Sequence, residues 1–218
     1  MSERAGMASD PTVAEELNEL LASAGLPQLD ARLAGQFQQY LELLMRWNAR
    51  LNLTAIRDRE GILSRHFVES IACARAVPEG VATLLDFGSG AGFPGIPIAL
   101  CRPEIAVTLA ESQAKKAAFL HYIIGLLGLS DAQVIMRKVE DWNDIKPEYD
   151  LLTTRALKQE VIFEAAPRVL SPAGRILLYR AKPLELVPAT CKIVKELSFT
   201  LPFDGSSRTL TLLQLITP

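Results

Sequence analysis

Apolar residues recur at helical spacing over the first third of the chain. Between about Asp30 and Arg50, the positions Leu33, Phe37, Tyr40, Leu41 and Leu44 follow an i, i+4, i+7, i+8 pattern, which predicts an amphipathic helix whose stripe belongs to a core. Upstream, Asp10 reads as an N-cap, with Pro11 at the first helical position and Glu15 and Glu16 in the first turns. From residue 83 the texture changes. Short strand-like runs lie at Thr83–Phe87, Ala106–Ala110, Gln133–Val139, Asp150–Thr154 and Arg175–Tyr179, separated by helix-like stretches at about 94–101, 113–128, 158–170 and 183–190. Strands alternating with helices predict an α/β fold whose mostly parallel sheet carries helices on both faces. The tail breaks the alternation. Leu197–Phe203 and Thr209–Ile216 flank the polar turn sequence Asp204-Gly205-Ser206-Ser207, which predicts an antiparallel C-terminal strand pair. The chain therefore divides into a helical N-terminal extension, residues 1–80, packed on a core of residues 81–218 as one structural unit.

Composition narrows the class. The 218 residues are 49% hydrophobic and 22% charged, which excludes disordered, collagenous and low-complexity chains. With 23 basic and 25 acidic residues the net charge is −2, which excludes a histone-like polycation. The charge is nevertheless segregated: −5 over residues 1–44, +3 over 45–66, −4 over 67–150 and +4 over 151–218. The two basic stretches can meet as one face. Cys73, Cys101 and Cys191 form no C-x-x-C, and only two histidines accompany them; free thiols in a reducing compartment are expected, and no metal. The uncharged runs 87–101 and 117–130 fall short of the ~20 residues of a membrane helix, and residues 1–10 show no signal-peptide pattern. The expectation is a cytoplasmic protein with no membrane and no obligate protein partner.

The informative segment is Leu84-Leu85-Asp86-Phe87-Gly88-Ser89-Gly90-Ala91-Gly92-Phe93-Pro94-Gly95. A strand ends in an acid, followed by a G-x-G-x-G loop and a helix, the place where open α/β sheets bind ligands. Gly90 to Gly95 also matches G-x-G-x-x-G with Glu111 about 20 residues on, as in a dinucleotide site. Pro94, however, removes one N–H from the turn that would hold a pyrophosphate. S-adenosylmethionine fits better: it carries no phosphate, needs close backbone approach at Gly88 and Gly90, and calls for acids near its cationic and hydroxyl groups. Asp86 and Glu111 end two successive strands. Val139-Glu140-Asp141 ends the third, where a carboxylate or backbone group can read an adenine edge. A carboxylate such as Glu111 can accept from both ribose hydroxyls.

The run Asp86 to Pro97, followed by Arg102-Pro103-Glu104, resembles the bacterial guanine-N7 methyltransferases of small-subunit (16S) ribosomal RNA, the glucose-inhibited division protein B family. Trp47-Asn48 with Asn52-Leu53-Thr54, Arg65-His66 with Glu69-Ser70, Glu111-Ser112 with Lys115-Lys116, Val139-Glu140 and Arg155-Ala156 are similar to family segments in the same order, from about residue 40 onward. Departures are Lys182-Pro183, where the family usually has Lys-Gly, and Thr154, where a small residue such as Ser is commoner. The resemblance implies a Rossmann-like methyltransferase using S-adenosylmethionine. It places cofactor positions on Gly88, Phe93, Val139, Glu140 and Arg155, with Glu111 at the ribose, and gives Arg155 the organising role at the catalytic site.

The implied reaction is in-line displacement of the sulfonium methyl by guanine N7, whose lone pair carries no proton, so no general base is required. RNA contacts are expected from Arg46, Arg50, Arg57, Arg59, Arg65 and His66 in the extension, and from Lys182 and Arg208 in the C-terminal half. A 16S RNA loop or extruded base, presented in a small ribosomal subunit or an assembly intermediate, is the expected partner. The competing readings are a nicotinamide-dependent oxidoreductase using Gly90 to Gly95, and a non-catalytic RNA-binding or ribosome-assembly factor.

Overall fold

The first helices of this chain start at short polar side chains. In the computed structural model, which describes residues 11–142, 148–182, 184 and 186–216, α1 (Val13–Ser23) starts at Thr12. The Thr12 hydroxyl accepts from the Glu15 N–H and the Glu15 carboxylate accepts from the Thr12 N–H, a closed capping box. The expected cap, Asp10, lies outside the described residues. Asp30 caps α2 (Ala31–Leu51) by accepting from the Leu33 N–H, and the helix ends at Asn52 in the left-handed conformation. The stripe Phe37, Tyr40, Leu41 and Leu44 is fully buried, as its spacing required.

A helical segment follows that periodicity does not reveal. It runs through α3 (Arg59–Gly61), a π-helical stretch Ile62–Val68, and α4 (Glu69–Ala76). Apart from Arg65 and His66, residues 61–74 are buried. A helix covered on all sides has no apolar stripe, so its period is silent in the sequence.

The sheet has seven strands in the order β3-β2-β1-β4-β5-β7-β6. Strands β1 (Thr83–Phe87), β2 (Ala106–Ala110), β3 (Ala132–Ile135), β4 (Tyr149–Thr154) and β5 (Leu170–Arg180) run parallel. β7 (Ser207–Leu215) inserts antiparallel between β5 and β6 (Cys191–Thr200). The mostly parallel sheet with an antiparallel C-terminal pair is thus present. Four local readings are corrected. Residues 136–138 leave β3, and Val139–Asp141 form a 3₁₀ turn instead. Residues 186–190 contain no helix. β5 begins at Leu170, immediately after α7 (Gln159–Val169), and so takes in the Pro172–Gly174 run. β6 begins at Cys191, and Leu201 to Ser206 fold into the connecting turn, in which the Leu201 N–H donates to the Ser206 carbonyl and the Gly205 N–H to that of Leu201.

Successive residues of β1 face opposite cores. Leu84 joins a large cluster with Leu17, Phe37, Phe67, Leu109 and Phe119. Here the extension, α5 (Gly95–Cys101) and α6 (Ala114–Leu127) cover one face. Leu85 and Phe87 join a smaller cluster under α7 with Trp142, Ile176 and Leu178. The extension and the sheet therefore share one core, although the chain passes from one to the other near residue 80. Among the described residues, α7 is the single helix on the second face, and no helix is long and apolar enough to cross a membrane.

Tyr40 ties the two parts together. Its ring is fully buried and stacks on Phe67 and Phe93, and its hydroxyl donates to the Ala91 carbonyl at 2.5 Å. Tyr40→Phe removes that donor and leaves a buried carbonyl unpaired, at an expected cost of about 1–3 kcal/mol. Urea unfolding with an unchanged m-value checks it; a shift of only a few tenths would mean that water replaces the hydroxyl.

Candidate active site

The loop between β1 and α5 is held from behind by its own backbone groups. Gly88 and Ser89 N–H donate to the Ala110 carbonyl at 2.9 and 3.1 Å. Gly92 and Phe93 N–H donate to the Ser89 carbonyl, and Ile96 N–H to that of Gly92. Gly90 N–H donates to Glu111 Oε2 at 2.9 Å, and Gly95 N–H to Asp86 Oδ2 at 3.1 Å. Pro94 has no N–H. Six amides of the loop are thereby spent inside the protein, which leaves few for a pyrophosphate and weighs against the dinucleotide reading. Two glycines are sterically forced. A Cβ on Gly92, at φ 100°, would lie 2.7 Å from the Tyr40 hydroxyl, and one on Gly95 would overlap Leu109 and crowd the Asp86 carboxylate. Gly90 differs: a Cβ there would meet nothing nearer than the Gly88 carbonyl at 3.8 Å, so this side of the loop is open.

Two cavities meet at that open side. The first, about 390 Å³, is lined by Thr54, His66, Gly88, Gly90, Phe93, Glu111, Lys116, Arg155 and Leu157 among others. The second, about 340 Å³, is lined by Phe87, Gly88, Ser112, Val139, Glu140 and Leu157 among others. Gly88, Ser112 and Leu157 belong to both. The carboxyl ends of β1, β2 and β4 and the 3₁₀ turn thus supply one double cavity at the point where the strand order reverses.

Of the expected cofactor residues, Gly88, Gly90, Phe93, Glu111 and Arg155 line the first cavity, and Val139 and Glu140 line the second. Each Glu111 oxygen accepts one backbone bond, from Gly90 and from Gln113, leaving further lone pairs for hydroxyl donors. Asp86 is placed otherwise. It is wholly buried beneath the loop, bonded to Gly95, with Oδ1 lacking a partner, and it does not reach the cavity wall. Its role here is to fasten the start of α5 to β1.

The residues expected at RNA separate into three kinds. Arg57 and Lys182 are exposed, as are Arg46 and Arg50. Arg59 pairs with Glu16 at 2.8 Å, and Arg65 stands over Phe203 with Asp204 3.8 Å away. His66 and Arg208 point inward. His66 stacks on Phe93 with centroids 4.4 Å apart, and its Nε2 bonds the Thr54 hydroxyl at 2.7 Å. Burial, with Arg155 and Arg65 nearby, lowers its pKa to about 3, so the ring is neutral. Arg208 donates to the buried Glu69 carboxylate at 3.1 Å. Neither is a surface phosphate contact.

Several residues that build the site carry no catalytic signature in the sequence. Tyr40 looks like one more stripe position. The Asn48 amide accepts from Thr54 N–H and donates to the Ile56 carbonyl, setting the loop that brings Thr54 to His66. This arrangement explains why Trp47-Asn48, Asn52-Leu53-Thr54 and Arg65-His66, apart in sequence, form one wall. Glu69 is marked in the sequence only through the Glu69-Ser70 segment that resembles the family, with no role attached to it. Leu157 is at the meeting point of both cavities.

Comparisons with known proteins agree with this geometry. The family model for rRNA small subunit methyltransferase G matches residues 34–196. The chain is 44% identical over 158 residues to ribosomal RNA small subunit methyltransferase G of Roseiflexus sp. (strain RS-1), covering 67% of this chain and 68% of that protein. It is 32% identical over 215 residues to the protein of the same name from Geobacillus kaustophilus, covering 92% and 90%. Among solved structures, an S-adenosylmethionine-dependent methyltransferase from Aquifex aeolicus superposes with TM-score 0.55 at 13% identity, covering 76% of this chain and 97% of that one. TrmN from Thermus thermophilus gives 0.52 at 19%, and the match takes in 71% of this chain and about half (53%) of that one. These likenesses show the Rossmann-like fold.

The buried acid and the buried imidazole pull stability in opposite directions with pH. Burial, opposed by bonds from Ser89 and Gly95, raises the Asp86 pKa from 3.8 to about 7. Its contribution is fully present below pH 3.8 and lost as pH rises through 7. The lowered His66 contributes above pH 6.5 and is lost as pH falls toward 3. Asp86→Asn keeps an acceptor for Gly95 and removes the first effect. The Tm difference, variant minus parent, should therefore grow between pH 4 and 7 in differential scanning fluorimetry. A flat difference would mean that Asp86 stays ionised throughout.

Proposed function

This chain belongs to the rRNA small subunit methyltransferase G family, and from that premise we propose that it methylates N7 of a guanine in 16S ribosomal RNA, with S-adenosylmethionine as donor. The observation that carries the reading is the double cavity. Glu111 and Arg155 converge on one half, the Val139-Glu140 turn forms the other, and the loop between spends six of its amides inside the protein. The residues fit the group. Glu111 would take the ribose hydroxyls, Val139 and Glu140 the adenine, and Gly88 and Gly90 the close backbone approach. Phe93 and Arg155 would hold the methionine end, with the Arg155 guanidinium paired to its carboxylate.

When bound, this group supplies an electrophilic methyl, which the guanine N7 lone pair takes directly with the thioether as leaving group. The acceptor loses no proton, so the chain's task is orientation, which can contribute roughly 7–11 kcal/mol in favourable cases. The titratable groups around the cavity suit that division of labour. His66 is a neutral ring in an aromatic stack, and Asp86 is sealed behind the loop. RNA phosphates would be met by the exposed Arg46, Arg50, Arg57 and Lys182, with the target base in a loop or extruded, in a small subunit or an assembly intermediate.

Labelled methyl transfer to small subunits lacking guanine-N7 methylation, followed by nucleoside mass spectrometry, tests the reading. The expected product is 7-methylguanosine. A different methylated nucleoside would overturn the N7 assignment. Absence of transfer to subunits and to assembly intermediates, with S-adenosylmethionine binding intact, would favour a non-catalytic RNA-binding factor. In filter binding, Arg46→Gln/Arg50→Gln/Arg57→Gln should weaken RNA affinity and lower the salt slope by about one for each phosphate no longer neutralised. An unchanged slope would move the RNA face elsewhere.

A further inference from the structure

Three charged side chains from distant parts of the sequence meet behind the first cavity. Glu69, the first residue of α4, is 2% exposed. Its Oε2 accepts from Arg155 Nη2, and its Oε1 accepts from Arg208 Nε at 3.1 Å. Arg155 directly follows β4 and Arg208 lies in β7, so one carboxylate joins the extension to a parallel and an antiparallel strand of the sheet. Arg155 is fixed by two more bonds, from Nη2 to the Arg65 carbonyl at 3.1 Å and from Nη1 to the Ser70 hydroxyl at 3.3 Å. Its guanidinium lies 5.9 Å from the centroid of Phe93 and 5.0 Å from that of Tyr179. A guanidinium has five N–H donors. Among the described residues these bonds leave the Nε–H and one Nη1–H without a partner, on a side chain that lines the cavity.

We infer that Glu69 is a positioning residue for the methyl-transfer reaction: the oxygen that accepts from Arg155 fixes that guanidinium, so that its two spare donors meet the carboxylate at the methionine end of the cofactor. The inference rests on the reading that this cavity holds S-adenosylmethionine. An arginine bound only by neutral groups would keep several rotamers, and each would aim the fork elsewhere. The carboxylate selects one of them, because fork and carboxylate match in a planar, directional pair.

The alternative is a purely structural ion cluster, and the net charge of the cluster separates the two. Glu69→Gln keeps the shape of the side chain but leaves two buried cations facing each other, so it lowers Tm whichever view is right. Arg208→Gln breaks the same cluster without touching the Arg155 pair. Glu69→Gln/Arg208→Gln removes one charge of each sign, so the cluster keeps its parent net charge while Arg155 loses its carboxylate. Calorimetric titration with S-adenosylmethionine and thermal melts of all three, beside the parent, are the measurement. Positioning requires Kd to rise at least tenfold in both proteins lacking Glu69, to stay within about threefold in Arg208→Gln, and to remain raised in the double variant although its Tm recovers. Glu69→Asp keeps the charge at shorter reach and should fall between parent and Glu69→Gln in Kd. Recovery of both Tm and Kd in the double variant, or an equal rise in Kd for Arg208→Gln and the double variant, overturns the inference. A parent that binds no S-adenosylmethionine would instead overturn the reading of the cavity itself.

Discussion

A tight glycine loop can face a ligand with its concave side only if its own polar groups are satisfied from behind. Here a carbonyl at the end of β2, two carboxylates and one tyrosine hydroxyl meet that demand. Ala110, Glu111, Asp86 and Tyr40 all bond to the loop, and only Asp86 belongs to its own strand. The rest of the architecture follows from bringing those four groups together. β2 must lie beside β1 in parallel register, with Phe87 opposite Ala110. α5 must approach closely enough that Gly95 tolerates no Cβ. The extension must lay α2 across the loop so that the Tyr40 ring, between Phe67 and Phe93, carries its hydroxyl to Ala91.

That last requirement explains why the helical extension shares a core with the sheet. Its π-helical stretch and the first turn of α4 offer several groups to the site in one short run. Arg65 gives its carbonyl to Arg155, His66 stacks on Phe93, and Glu69 and Ser70 bind the Arg155 guanidinium. In a regular α-helix, residues three and four apart share a face. The wider π turn adds one residue per turn and changes which positions come together. The loops after β1, β2 and β4 supply most of the first cavity, and the extension closes it with Leu53, Thr54 and His66 and holds Arg155 in place.

What the sequence disclosed and what it withheld follow one physical line. β1 and β2 were legible to the residue because short apolar runs between turn residues have little freedom in where they start. The glycine loop and Glu111 were legible because glycines and acids at strand ends are locally unusual; Val139 and Glu140 were singled out as the end of a strand, whereas they form a 3₁₀ turn beyond it. The buried helix over 59–76 was not, since burial on every side erases periodicity. The Leu170 start of β5 was hidden by the Pro172–Gly174 run, which reads as a turn, and β6 by its exposure on both faces. Asp86, His66 and Arg208 were legible as polar residues in informative places, but whether a polar side chain faces in or out depends on partners far away in sequence. Arg208 turns inward because Glu69, 139 positions earlier, is waiting there.

The electrostatics of the finished site bear on the chemistry more than any single residue does. Methylation at N7 leaves the guanine cationic, so a cavity wall of bare cations would oppose the reaction as charge develops. Beside Lys116 and Glu111, the wall has a neutral imidazole, an aromatic ring and an arginine whose charge is opposed by a carboxylate. A charge opposed within hydrogen-bond distance projects far less field into a cavity than an isolated one. Arg155 can then bind an anionic group by directional N–H contacts while adding little repulsion at the acceptor. The exposed arginines that would hold RNA phosphates lie on α2 and the loop that follows it, outside the cavity lining, so attraction for the polyanion and tolerance of a cationic product are served by different parts of the molecule.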